Sequence, residues 1–137
     1  MLAMSGRLRL RGEGLPDSSP RSRRWLIGCL LWAAAIHTIS SIPSPESPIP
    51  PPLGADKVVH VLMFFPLAFL AIRWRLTQAV ERGRRVSPLE LVLVATCLFV
   101  FAACDELHQE FVPGRSCDLL DWLADVAGIL LGMSAAF

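Results

Sequence analysis

Apolar positions along this chain fall into four blocks: Trp25 to about Ile42, Val58 to Trp74, Leu89 to Cys104 and Leu119 to Phe137. Each holds roughly 16–19 residues, near the lower limit for a helix that crosses a hydrocarbon core of about 30 Å. The pattern predicts an all-α integral membrane bundle of four transmembrane helices, at about 25–42, 58–74, 89–104 and 119–137. Pro66 interrupts the second block, which lipid tolerates where water would not. Ser87-Pro88 opens the third, with proline at the first helical turn, where its missing N–H costs nothing. Asp121 and Asp125 interrupt the fourth. A basic stretch before the first block also describes a signal peptide. The 18-residue block exceeds the usual apolar length of about 7–15 and no A-x-A site follows, so it reads as an uncleaved first membrane helix.

The segments between the blocks are of three kinds. Residues 1–24 carry six arginines with Gly, Ser and Pro and little apolar periodicity, and read as a disordered basic tail ahead of a membrane domain at 25–137. Residues 43–54 are proline-rich, which excludes helix and predicts an extended connector. Arg75 to Ser87 reads as a polar, basic loop.

Composition agrees with this layout. The 137 residues suit one small domain, 53% are hydrophobic, and only 18% are charged, against about 25% in a soluble domain. The four cysteines, at 29, 97, 104 and 117, form no CxxC pair, so neither a zinc knuckle nor a disulfide framework is indicated. The net charge of +1 is uninformative, but its distribution is not. Eleven of the thirteen Lys and Arg lie in the tail and in the region from Arg73 to Arg85, leaving Lys57 in the first connector and Arg115 in the third. The positive-inside rule then places both termini in the cytoplasm and the two sparsely basic connectors outside. Anionic lipid accounts for the tail arginines, so no nucleic-acid partner is expected.

Against this background the polar residues between blocks three and four are conspicuous. Asp105 to Asp121 holds five carboxylates, a His, a Gln and an Arg within 17 residues. Charge near lipid costs about 2.5–3.5 kcal/mol per residue at a helix centre, which makes such residues functional candidates. Asp56 and His60 are spaced i,i+4 and share a face at the outer end of helix two. Glu106, Gln109 and Glu110 share a face at the outer end of helix three, and Asp118, Asp121 and Asp125 form one stripe on helix four. Three polar helix ends on one side pack most economically against one another. The candidate site is therefore Asp56, His60, Glu106, Gln109, Arg115, Asp118 and Asp121, with Asp56 orienting His60 and Pro113-Gly114 turning Arg115 back over the carboxylates. Arg115 either clamps a carboxylate or recognises an anionic head group. Glu106, Asp118 and Asp121 are hard ligands for a divalent cation, and His60 would admit zinc, though no spacing is diagnostic. His37 reads as a lone polar residue inside the bundle. Gly128-x-x-x-Gly132 lets helices approach closely, within the bundle or in a homodimer.

These residues together resemble the VanZ-like membrane proteins. The resemblance rests on Asp56-Lys57-x-x-His60, Glu106-x-x-Gln109, Pro113-Gly114-Arg115, Asp118-x-x-Asp121, Gly128 and Gly132, and covers roughly residues 25–137. It departs from the family at Asp125, where many members carry Asn. The resemblance implies a multi-pass protein of the bacterial cytoplasmic membrane. The family takes its name from a protein associated with resistance to the glycopeptide teicoplanin, so the name bears on topology more than on activity. Two functions follow. One is a polar site that binds or acts on an anionic lipid or lipid-linked envelope precursor at the outer face. The other is a non-enzymatic scaffold whose charged cluster is a structural network. No nucleophile motif such as G-x-S-x-G is present, which leaves enzyme status open. Ion translocation is disfavoured, because the cytoplasmic halves of the helices are nearly pure hydrocarbon.

Overall fold

A computed structural model describes residues 20–44 and 54–137 of the chain. It holds four helices: α1 (Arg21–Ser40), α2 (Ala55–Glu81), α3 (Pro88–Gln109) and α4 (Leu119–Ala135), with no strand among the described residues. The tail up to residue 19 and most of the proline connector, residues 45–53, lie outside the described residues.

Local signals set the helix ends. Ser87 caps α3: its hydroxyl accepts from Glu90 N at 3.2 Å while Glu90 Oε2 accepts from Ser87 N at 2.9 Å, with Pro88 in the first turn. The Asp118 carboxylate caps α4 by accepting from Leu120 N at 2.8 Å. Three helices are longer than the apolar blocks, and α3 carries on past Cys104 to Gln109. α1 begins at Arg21, so the last four residues read as tail are helical, and the Ser22 backbone and hydroxyl donate to Glu81 at 3.0 and 2.5 Å. α2 runs on through Arg75 to Glu81, which the basic character of that stretch concealed. Its residues are mostly good helix formers, and Ala79 is buried, so the connector shrinks to the turn at Arg82–Gly83 and the stretch up to Ser87.

Side-chain contacts fix the up-down-up-down order. Ser22 meets Glu81 at one end, and at the other Ser40 meets Asp105 and His60 meets Asp125. α2 is the central helix. Phe64, Leu67, Ala68 and Ala71 pack with Ile36 of α1, Leu98 and Ala102 of α3 and Ile129 of α4. Pro66 leaves the Leu62 carbonyl without its helical donor, and the helix nonetheless continues on both sides.

The α2–α4 contact is the closest. Gly128 lies under the Val61 carbonyl, 2.6 Å from where a Cβ would stand, and Gly132 lies against the Phe65 carbonyl and Ala68. Both glycines are buried against α2 of the same chain. The small-residue face expected to serve packing or a homodimer is therefore spent on packing within the bundle.

The outer surface is coated with large apolar side chains on every helix, among them Leu31, Leu62, Val92 and Leu131. In water such a continuous coat would drive association; in hydrocarbon it is an ordinary solvated surface.

Candidate functional site

The site grows from the end of the bundle where α1 and α3 finish and α2 and α4 begin. At its centre is His60 of α2. Its Nδ1 is 2.9 Å from Asp125 Oδ1 of α4 and 3.5 Å from Glu106 Oε1 of α3, and its Nε2 is 3.9 Å from Asp121 Oδ2. Asp125 is fully buried, Glu106 nearly so, and the imidazole is 12% exposed. One donor atom from each of His60, Glu106 and Asp125 fits within 4.8 Å of the others.

Above this hub, Lys57 bridges three carboxylates. Its Nζ lies 2.6 Å from Asp121 Oδ1 and 2.9 Å from both Asp118 Oδ2 and Asp56 Oδ2. An ammonium has three N–H donors, and here each has a carboxylate. The hydrogen bond from Lys57, then that from the Leu120 backbone, holds the Asp118 carboxyl below its ordinary range.

The third layer closes the α3–α4 connector. Glu106 Oε2 accepts from Asp118 N at 3.3 Å, and Glu106 Oε1 accepts from Gln109 Nε2 at 3.4 Å. Arg115 donates to the Ile42 carbonyl at 3.1 Å, the Ile39 carbonyl at 3.3 Å and Gln109 Oε1 at 3.3 Å, fastening the connector to the last turn of α1. Helix C-termini offer unsatisfied carbonyls and a partial negative charge, which suits a guanidinium there. Gly114 makes the turn with φ +76° and lies directly beneath the Ser44 carbonyl, while Ser44 N donates to Pro113 O at 3.2 Å. Beside it, Ser40 Oγ donates to buried Asp105 at 2.6 Å.

All seven residues predicted from sequence lie at this end, but not all in the predicted roles. His60, Glu106, Gln109, Asp118 and Asp121 converge. Asp56 does not orient His60: it is half exposed and pairs with Lys57, and Asp125 takes the place at the imidazole. The i,i+4 spacing puts Asp56 and His60 on one face, but the outermost position of α2 also lies within reach of Lys57. Arg115 bonds to helix carbonyls and an amide instead of a carboxylate. Asp118 and Asp121, expected as cation ligands, are occupied by Lys57, and Asp125 completes the donor set in their stead. Glu110 turns from the hub and accepts from Cys117 N at 3.0 Å. His37 is not a lone polar residue inside the bundle: it is exposed and lies against His108, ring centroids 4.7 Å apart and planes tilted by 44°, and His108 Nε2 is 2.9 Å from Ser41 Oγ. All four cysteines are free.

Sequence reasoning quoted Lys57 in the first motif but gave it no role in the site, and it missed the Asp105–Ser40 pair. Their signal was position. Lys57 precedes His60 by three residues, and Asp105 precedes Glu106 on a helix whose neighbouring face is buried.

The family model described as VanZ/LLP1 matches residues 19–137, nearly the whole chain. The chain belongs to the VanZ family. Comparison with curated proteins and with solved structures finds no match. Two helices of this VanZ protein, α2 and α3, are long and apolar enough to cross a bilayer, in keeping with a membrane protein.

The VanZ motifs thus meet in space. The first supplies Lys57 and His60, the second Glu106 and Gln109, the third the turn that carries Arg115, and the fourth the caps and carboxylates of α4. An imidazole held by a buried carboxylate, with a second carboxylate at the same nitrogen, can exchange a proton or share a cation.

Proposed function

We propose that this VanZ protein crosses the bacterial cytoplasmic membrane with all four helices, keeps both ends in the cytoplasm, and binds an anionic cell-envelope molecule at its outer face, with Arg115 holding the anionic group beside the His60 cluster. The observation that carries this reading is the convergence of His60, Glu106 and Asp125, from three helices, on one partly open point at the end of the bundle. The lysine and arginine distribution supports the orientation: the arginines in the first turn of α1, at the end of α2 and in the next connector lie at the opposite end. Arg115 supports the anionic ligand. Among the described residues it uses three of the five guanidinium donors on Ile39, Ile42 and Gln109, which leaves two for a phosphate or carboxylate at the rim.

Reporter fusions within 43–54 and 82–87 test the topology; both loops reporting the same side would refute it. The ligand reading is tested by thermal unfolding of the detergent-purified chain with phosphorylated lipid head groups, wild type beside Arg115→Lys. A head group that raises the wild-type midpoint and fails to raise that of the variant is the expected result, because lysine keeps the charge and loses the fork. No shift with any head group would remove the reading.

A second reading, a structural network in a scaffold protein, is favoured by one observation: Lys57 is fully engaged by Asp56, Asp118 and Asp121, an arrangement that locks α2 to α4 and needs no ligand.

A further inference from the structure

The hub contains a contradiction that its own side chains do not resolve. Asp125 is 0% exposed and Asp105 4% exposed, yet Asp125 Oδ2 and Asp105 Oδ1 are buried with no hydrogen-bond partner among the described residues. Glu106, 2% exposed, stands at the same imidazole nitrogen as Asp125. The nearby cation, Lys57, lies in the layer above, and its three donors are already committed to Asp56, Asp118 and Asp121. Buried carboxylate oxygens without partners are costly, and a metal ion is one of the few groups that satisfies several at once.

We propose that His60, Glu106 and Asp125 form a binding site for one divalent first-row metal ion, with His60 Nδ1, Glu106 Oε1 and an Asp125 carboxylate oxygen as ligands and Asp105 as an adjacent carboxylate. The geometry suits it. Donors around a tetrahedral ion at about 2.1 Å stand about 3.4 Å apart; here Nδ1 is 2.9 Å from Asp125 Oδ1 and 3.5 Å from Glu106 Oε1. The ion takes the place between Nδ1 and the two carboxylates, and the Asp125 oxygen that lacks a partner becomes available to it.

The surroundings complete the pattern. A metal-bound imidazole ordinarily directs its other nitrogen to a carboxylate that fixes the ring. His60 Nε2 faces Asp121 Oδ2 at 3.9 Å, beyond hydrogen-bond range, and Lys57 holds the other oxygen of Asp121 at 2.6 Å. Glu106 is steadied by Gln109 and by the Asp118 backbone. One nitrogen with two oxygen donors favours zinc or manganese over magnesium and calcium, with zinc the tighter of the pair. Three protein ligands leave a coordination position open, and the partly exposed side of His60 is where an exogenous oxygen would reach it. This inference shares the cluster with the proposed function and rests on reading that cluster as a binding site.

The test is metal binding by the full chain in detergent, stripped with chelator and reloaded with zinc or manganese. The expected result is one ion per chain by mass spectrometry. Glu106→Gln and Asp125→Asn should weaken binding at least tenfold, while Asp56→Asn, outside the hub, should not. Spin-echo spectroscopy of the manganese-loaded wild type should show one imidazole nitrogen, absent in His60→Gln. That signal guards against variants that fail to fold, because the wild type alone must give it. No stoichiometric ion in the wild type, or an ion without a coordinated nitrogen, overturns the site. So does unchanged binding in well-folded Glu106→Gln and Asp125→Asn. Metal binding without any effect of phosphorylated head groups would keep this site and refute the anionic ligand. A head-group effect in a wild type that takes up no ion would do the reverse.

Discussion

Replacing Gly128 with alanine tests the tightest contact in the bundle. A Cβ there would stand 2.6 Å from the Val61 carbonyl oxygen, 3.1 Å from Val61 Cα and 3.2 Å from Phe65 N, all of them α2 backbone. A helix backbone cannot rotate out of the way as a side-chain end can, so α2 and α4 must separate. Two opposing effects set the outcome. Alanine is the better helix former by about 1 kcal/mol. Overpacking a tight contact costs about 1–3 kcal/mol, and the backbone nature of all three contacts places this site in the upper part of that range. The net expectation is a loss of about 1–2 kcal/mol, or a midpoint lower by about 4–8 °C for a chain of this size. Gly28 of α1 provides the control. A Cβ there meets Leu70 at 3.6 Å, an ordinary contact, so the propensity gain stands alone and Gly28→Ala should be neutral or stabilising. Unfolding of both variants in one detergent, followed by helical circular dichroism, decides the matter. If Gly128→Ala matched or exceeded the wild type, the close α2–α4 approach would be wrong.

Three further outcomes follow from the same structure. Lys57→Met removes the cation shared by Asp56, Asp118 and Asp121; because the ammonium is partly solvent-exposed the loss is held to about 1 kcal/mol, and adding Asp121→Asn should recover part of it in a double-mutant cycle. Gly114→Ala places a side chain at φ +76° and into the Ser44 carbonyl, which should cost at least about 1–2 kcal/mol and speed proteolysis of the α3–α4 connector; equal protease resistance would contradict the turn. Ser87→Ala should lower stability by about 1 kcal/mol and Ser87→Gly by only a few tenths, a ranking readable by thermal unfolding that would fail if the α3 cap were absent.

The four helices were legible because apolar blocks between proline and charged segments leave few alternatives, and the α3 start because Ser87-Pro88 with Glu90 is a local signal that acts through three residues. The helix ends were less so. Arg75 to Glu81 looked like a loop by charge, yet a helix leaving an apolar environment keeps its hydrogen bonds while its side chains turn polar, and nothing in the charges marks the stop until Gly83. Within the site, the spacing of Glu106, Gln109, Asp118 and Asp121 gave the common end correctly. What it could not give was the pairing. Asp56 and Asp125 are both within helical reach of His60, one along α2 and one across to α4, and the choice depends on how closely Gly128 and Gly132 let α4 approach. The partners of Arg115 within the chain escaped that spacing for a similar reason. Besides Gln109, its partners are the carbonyls of Ile39 and Ile42 at and just past the end of α1, far away in sequence and invisible in any side-chain pattern.

The two layers of the cluster differ in how completely they satisfy themselves, and that difference bears on which reading of the site is stronger. In the outer layer every donor of the one ammonium has its own carboxylate, and the two carboxylates left over in charge, Asp56 and Asp118, are the more exposed ones. A network whose work is to hold helix ends together looks like this, and it gains nothing from groups left without partners. The inner layer is not balanced. Asp105, Glu106 and Asp125 are all buried, they share only His60, Ser40, Gln109 and one backbone N–H, and two of their oxygens have no partner among the described residues. Apolar residues of similar volume would hold this end of the bundle together at lower cost, because desolvating a carboxylate is repaid only when all its oxygens are met. A deficit placed beneath a self-sufficient layer, at the point where three helices converge and the imidazole edge is open, is what a site completed by something from outside requires.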